Sequence, residues 1–231
     1  MTDHALHPVG ASDVGVVIAA RNAAATIGAS IESVLAESVP PSCILVVDGA
    51  STDRTPDIAL GLGVTVVAQD GAGLSAGRNQ GVAALDTALV AFCDADDRWA
   101  PGSLAARMRH LGSDLDRSAV IGHYVAACVD GRTDTRTEVA RQSPRPAWTP
   151  GGLLAGRGVF TRVGPFSEAL TVGADSDWLV RLSQSDIDVS LIDDVVLIKG
   201  VHAGQMSRDV PTYRRELLRV ARSFVREARD R

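Results

Sequence analysis

With 231 residues, 45% of them hydrophobic, the chain can bury one large core and does not demand two independent domains. A formal net charge of -5 argues against a general nucleic-acid binder, because neutralising phosphates supplies most non-specific affinity for DNA or RNA. Three widely spaced cysteines, Cys43, Cys93 and Cys128, suggest neither a disulfide framework nor a thiolate zinc site, and fit a reducing cytoplasm.

Residues 1–12 lack apolar periodicity and read as a loose tail. From Val14 the pattern alternates. An apolar run Val14–Ala20 precedes a helical stretch Thr26–Glu37, then a strand Cys43–Asp48 and a helix after Ser51-Thr52-Asp53. A strand Val64–Ala68, a helix Leu74–Leu85, a strand Leu89–Asp94 and a helix Pro101–Leu111 follow. Short apolar runs separated by helices indicate βαβ units, hence a parallel sheet covered on both faces. Ligands of such sheets bind beyond the carboxyl ends of the strands, so Asn22, Asp48 and Asp94 are expected to converge on one edge.

The second half changes character. Val120–Val129 reads as a strand, Asp130-Gly131 as a turn and Arg132–Val139 as a return strand, which together predict a small antiparallel annex. Residues 140–150, with three prolines, read as a surface loop. A short helix Asp175–Ser185, strands Val189–Ile192 and Val195–Lys199, and a final helix Pro211–Arg229 complete the chain. That last helix gathers Leu217, Ala221, Phe224, Val225 and Ala228 on one side and arginines largely on others. Packing on the sheet explains it; contact with an acidic membrane surface is the sharper alternative. No apolar run approaches the roughly 20 residues needed to cross a bilayer, and the N-terminus lacks signal-peptide regions. A soluble protein, or one peripheral at the inner face of a membrane, is the expectation.

The chemistry concentrates in Asp94-Ala95-Asp96-Asp97. Two or three carboxylates at a sheet edge repel one another unless a cation intervenes. Mg²⁺ and Mn²⁺ take such oxygen ligands and keep positions open for phosphate and water. The alternative is that Asp97 caps the helix entering at Pro101 while the others face water.

At this point the chain resembles the family 2 glycosyltransferases, inverting enzymes that use nucleotide-activated sugars on a GT-A fold. Val17-Ile18-Ala19-Ala20-Arg21-Asn22 is similar to the family's opening strand. Val46-Val47-Asp48-Gly49-Ala50-Ser51-Thr52-Asp53 is similar to its second nucleotide loop, and Gly77-Arg78-Asn79-Gln80-Gly81 to its third. Asp94-Ala95-Asp96-Asp97 falls where the family carries its DXD metal motif. The resemblance implies nucleotide binding by Ala20, Asn22, Asp48, Arg78 and Asp94. It places Asp48 on the base, Arg78 on base or diphosphate, Asp94 on ribose and metal, and Asp96 on the Mn²⁺ or Mg²⁺ ion. Two departures matter here: Gly49 stands where a second acidic residue is common, and Ala50 where a glycine is common.

Gly173-Ala174-Asp175-Ser176-Asp177-Trp178 to Arg181 resembles the segment whose Asp is the family's catalytic base, which implies that role for Asp175. Ala174 replaces the usual Glu. Asp175 or Asp177 could instead cap the following helix, and Trp178 could line an acceptor pocket or pack the core. Lys199-Gly200-Val201-His202 with Gln205-Met206-Ser207 resembles a late segment in which a histidine completes the metal shell, making His202 a candidate ligand.

Gly71-Ala72-Gly73-Leu74-Ser75-Ala76 is a rival signal. It matches the dinucleotide fingerprint, with Asp94 about 20 residues on where a ribose carboxylate is expected. Two complete βα units precede it, however, and Asp96 and Asp97 would repel a pyrophosphate. A glycosidase using Asp96 and Asp175 would leave the nucleotide segments without purpose.

The expectation is therefore one α/β unit of Rossmann-like GT-A type, mostly parallel, with a tail 1–12, a nucleotide-sugar half 13–112, an acceptor and catalytic half 113–207 and a C-terminal helix 208–231. It would be a metal-dependent, hexosyltransferase-like enzyme taking a UDP-, GDP- or dTDP-sugar as donor, with an acceptor of unknown identity. The alternatives are an inactive nucleotide-sugar-binding module and, behind it, a nicotinamide-dependent oxidoreductase.

Overall fold

The alternating apolar and helical segments of the first half build a parallel sheet that grows outward on both sides of its first strand. In the computed structural model, which describes residues 13–128, 142–201, 211–212 and 214–218, β1 (Val14–Ala20) is flanked by β2 (Cys43–Asp48) and β4 (Leu89–Phe92), with β3 (Thr65–Ala68) beyond β2. All three pairings are parallel. Every residue of β1 is buried, as a strand covered on both faces requires.

Alternation sorts the side chains onto two faces. Val14, Val16 and Ile18, with Ile44 and Val46, meet α1 (Ile27–Leu35), α2 (Thr55–Gly61) and α4 (Ser103–Met108). Val17, Leu45, Val47, Val90 and Phe92 face the opposite cluster, to which α5 (Arg157–Val163) contributes Val159 and Phe160 and α6 (Ala174–Gln184) contributes Trp178, Leu179 and Leu182.

The predicted antiparallel annex takes a different form. β8 (Leu153–Gly156) pairs antiparallel with β4 and with β6 (Ser118–Cys128), extending the same sheet. β6 then pairs parallel with β9 (Asp188–Val201), because α5 and α6 intervene and return the chain in the same direction. The two late strands expected at 189–192 and 195–199 are one continuous strand with a register irregularity opposite Ile121 to Tyr124. β5 (Arg98–Trp99) closes the far edge against β9, and β7 (Arg145–Pro146), inside the expected loop, pairs with β6. The tail 1–12, the turn at 130–131, the return strand 132–139 and most of the C-terminal helix lie outside the described residues.

α3 (Leu74–Ala84) lies unusually close to β1, and two glycines one helical turn apart allow it. A Cβ at Gly81 would come within 2.3 Å of Val17 Cγ1, and one at Gly77 within 3.1 Å of Ala19 Cβ. Gly81→Ala is expected to destabilise the protein by about 1–3 kcal/mol, since Val17 is β-branched and packed on both sides. Urea denaturation checks this; an unchanged midpoint would show that the contact relaxes.

Candidate nucleotide-sugar site

The carboxyl ends of β2, β1 and β4 lie side by side because the pairings are in register, Ala20 opposite Asp48 and Val17 opposite Phe92. The expected convergence is present: the carboxyl end of β2 carries Asp48, and the loops after β1 and β4 carry Asn22 and Asp94, at one edge of the sheet.

The β1 and β2 loops are tied to each other. The Ala20 carbonyl accepts the Gly49 N–H at 2.8 Å, and the Asn22 N–H donates to Ser51 Oγ at 2.9 Å. Asn22 Oδ1 accepts the Thr52 N–H at 2.8 Å, so this side chain shapes the second loop. Asn22 (φ 51°) and Ala50 (φ 56°) both adopt the left-handed backbone. That explains why a glycine suits position 50, where a Cβ adds strain. Asp48 Oδ2 accepts the Ser51 N–H at 3.1 Å, while its buried Oδ1 has no hydrogen-bond partner among the described residues. A buried acceptor left over at the carboxyl end of a strand is what a ligand N–H would satisfy.

Arg78 is the hub. Its α3 backbone is set by the glycine contacts to β1, and its side chain is only 2% exposed. One guanidinium arm donates to Asp94 Oδ1 at 2.5 Å and the other to Asp175 Oδ1, with the Phe166 ring 5.7 Å from the guanidinium carbon. Burial works against the arginine's charge, but Asp175 and Asp94 outweigh it and hold the pKa above its ordinary value. Asp94 answers in kind: burial raises its carboxyl, and Arg78 and Lys199 bring it below the usual range. Asp175 remains raised, because burial and the Asp94 charge exceed the help from Arg78.

The neighbouring residues of the same segment fasten the surroundings. Asn79 Nδ2 donates to the Phe166 carbonyl at 3.0 Å while its Oδ1 accepts the Phe166 N–H at 2.8 Å. Gln80 binds the Asp70 N–H and the Ala68 carbonyl, fixing the loop between β3 and α3. Inside that loop Gln69 Nε2 donates to the Gly73 carbonyl at 2.9 Å. The glycine-rich turn is thus filled by protein and follows an edge strand, which removes the geometry a dinucleotide fingerprint needs.

Asp97 does not cap α4. It is 1% exposed; Oδ1 accepts the Gly200 N–H at 2.8 Å, and the buried Oδ2 has no hydrogen-bond partner among the described residues. Burial and the charge of Asp94, reinforced by Asp96 and opposed by Lys199, push its carboxyl up to about 8. The cap comes from α1's end: buried Glu37 accepts the Ser103 and Leu104 N–H groups at 3.2 and 3.0 Å. Lys199, on β9, faces this acidic group. Burial lowers its pKa, but Asp97, Asp94, Asp96 and Asp175 raise it further.

Trp178 is a correction. It is fully buried, stacked 5.1 Å from both Phe160 and Phe166, and its Nε1 donates to the Gly164 carbonyl at 2.8 Å. It packs the core beneath the site and offers no surface to an acceptor. The exposed tryptophan is Trp148, 53% accessible, in the segment after β7. Neither Asp175 nor Asp177 caps α6; Asp177 pairs with Arg181, whose guanidinium also holds the Pro165 carbonyl at 2.8 Å.

His202 lies outside the described residues. Among the described residues no three His, Cys, Asp or Glu side chains gather as a metal-binding group. Mg²⁺-type sites commonly use only one or two protein carboxylates and leave the rest to phosphate and water, so the oxygen donors Asp94 and Asp96 suit such an ion. Among the described residues no helix is long and apolar enough to cross a membrane.

A mixed α/β sheet whose strand ends present this cluster is of the GT-A type, and solved structures agree. Residues within TarS of S. aureus, in complex with UDP-GlcNAc, superpose with a TM-score of 0.68 at 16% identity, covering 85% of this chain and 61% of that one. Glucosyl-3-phosphoglycerate synthase of Mycobacterium tuberculosis, in complex with Mn²⁺, UDP and phosphoglyceric acid, gives 0.68 at 20% identity, covering 92% and 78%. The profile of Glycosyl transferase family 2 matches residues 15–167, and the chain belongs to that family. Succinoglycan biosynthesis protein ExoU of Rhizobium meliloti is 33% identical over 130 residues, 53% of this chain and 38% of that protein. Glycosyltransferase AglE of Haloferax volcanii is 25% identical over 199 residues, 79% and 65% respectively. The chain spans about two fifths of the length of ExoU and of two further relatives.

Proposed function

We propose that this glycosyltransferase transfers a sugar, with inversion, from a nucleotide-diphosphate sugar to an acceptor hydroxyl, using Asp175 as general base. The observation that carries the reading is the bridge Asp94–Arg78–Asp175, which brings a carboxylate of the donor-binding edge and the candidate base to the two arms of one buried guanidinium. Asp175 takes the proton of the acceptor hydroxyl, the acceptor oxygen bonds to the anomeric carbon, and the bond from that carbon to the diphosphate oxygen breaks with its electron pair leaving on the diphosphate. Arg78 orients both carboxylates. The unpartnered Oδ1 of Asp48 receives a ring N–H of the base, a reading supported by its burial and its place beyond β2. Asp94 and Asp96 would hold Mn²⁺ or Mg²⁺, which when bound would neutralise charge on the departing diphosphate. The UDP complexes of the structural neighbours, one of them with Mn²⁺, support a UDP-sugar and that ion.

A panel of nucleoside diphosphates with and without Mn²⁺ in a thermal-shift assay is the direct test. UDP with Mn²⁺ is expected to raise the melting temperature by several degrees, and by much less without the metal, as preferential binding to the native state dictates. No stabilisation by any diphosphate would sink the donor assignment. Metal-dependent binding with no turnover on any donor and acceptor would instead support a binding module, in line with Gly49 and Ala174.

A further inference from the structure

Loop 164–173, which carries the chain from α5 into α6, contains no helix or strand of its own. Its last residues are held from far along the chain. Glu216, in the helical stretch 214–218, sends its carboxylate into the backbone of Thr171, Val172 and Gly173. Oε2 accepts the Val172 and Gly173 N–H groups at 2.8 and 2.7 Å, and Oε1 accepts that of Thr171 at 3.0 Å. The side chain is buried, 5% exposed. Gly173 permits this approach, because a Cβ there would lie 2.9 Å from Glu216 Cβ.

Two residues beyond this nest of amides stands Asp175. Position 174 is alanine where the family pattern carries a glutamate, so a carboxylate lost from the loop itself has a counterpart arriving from the C-terminal segment. Burial raises the Glu216 carboxyl, but the Thr171, Val172 and Gly173 amides outweigh it and hold it below its ordinary range, so it is ionised at neutral pH.

We propose that Glu216 is a positioning residue for transfer, fixing the Thr171–Gly173 backbone so that Asp175 enters α6 at the geometry its pairing with Arg78 requires. The inference rests on the reading of Asp175 as base. It makes the C-terminal segment part of the catalytic assembly.

In the full chain, Glu216→Ala is expected to lower kcat by about 10- to 100-fold, the range that misplacement of a reacting group by about an ångström produces, with donor KM and nucleotide Kd changed less than about twofold. Glu216→Asp, which keeps the charge, should recover part of that loss, and Gly173→Ala should reproduce it from the other side of the contact. If Glu216→Ala does not fold, Glu216→Gln and Gly173→Ala carry the same comparison. Wild-type kcat in folded Glu216→Ala or Glu216→Gln, or an equal loss in donor affinity and kcat, overturns the proposal. Full activity in Asp175→Asn overturns the assignment of the base, whereas an inactive Asp175→Asn beside a fully active Glu216→Ala overturns the role of Glu216 alone.

Discussion

Asp175→Asn is expected to reduce sugar transfer by about 10²–10⁴-fold while leaving the protein folded and able to bind nucleotide diphosphate, because a side-chain amide of the same shape cannot take a proton. Arg78 keeps its bond to Asp94 and its place over the Phe166 ring, so no charge is stranded by the change. The position also predicts a pH dependence. Burial and the neighbouring Asp94 raise the Asp175 carboxyl despite Arg78. A base must be ionised to act, so the wild-type rate falls as pH drops through that raised value, above the ordinary aspartate range. The residual rate of Asp175→Asn should lack this acid limb. Steady-state rates of nucleotide release across pH check both; an Asp175→Asn enzyme with full rate, or with the same acid limb, would remove Asp175 from the reaction.

The parts of this site legible in the sequence are those with a local cause. An apolar run ending in a polar residue, repeated with helices between, places Asn22, Asp48 and Asp94 at one edge without any knowledge of contacts. The segment Gly77 to Gly81 reads as one unit, and the structure gives each member work: glycines against β1, Arg78 to the carboxylates, Asn79 to Phe166, Gln80 to the β3 loop. What local pattern could not reveal is long-range. The sequence leaves Asp97 between a metal-binding carboxylate and a cap, Trp178 between an acceptor platform and the core, and Asp177 as a cap. They are a partner of Gly200, a core aromatic and a partner of Arg181. The cap of α4 comes from Glu37 and the tie on the loop before α6 from Glu216, residues distant in sequence and indistinguishable there from solvated charges. Strand β8 carries no period-2 signal because it is short and buried on both faces, so the direction of β9 could not be inferred.

The largest stability effect is expected at Arg78. Arg78→Met keeps much of the volume and removes the charge that bonds both Asp94 and Asp175. Two half-buried carboxylates would then be left facing each other at one edge. Removing one partner of a fully buried ion pair typically costs about 3–5 kcal/mol, and the loss here is expected toward or below the lower end because both carboxylates reach water. Arg78→Lys should rescue little, since an ammonium is a point donor and cannot span both carboxylates as the planar fork does. Loss of the cation raises both carboxyls in the native state, so the variant's folded form binds protons more readily than its unfolded chain. Its stability therefore falls as pH rises through those values and recovers below them, and the deficit relative to wild type should narrow in acid. Adding Asp175→Asn to Arg78→Met should cost less than the sum of the two single changes, because the second substitution removes a charge the first had stranded. Urea denaturation of wild type and the four variants at neutral and mildly acidic pH reads these effects. Additive losses with no dependence on pH would show that the bridge between donor edge and base is not held by charge, and that Arg78 acts through packing against Phe166 alone.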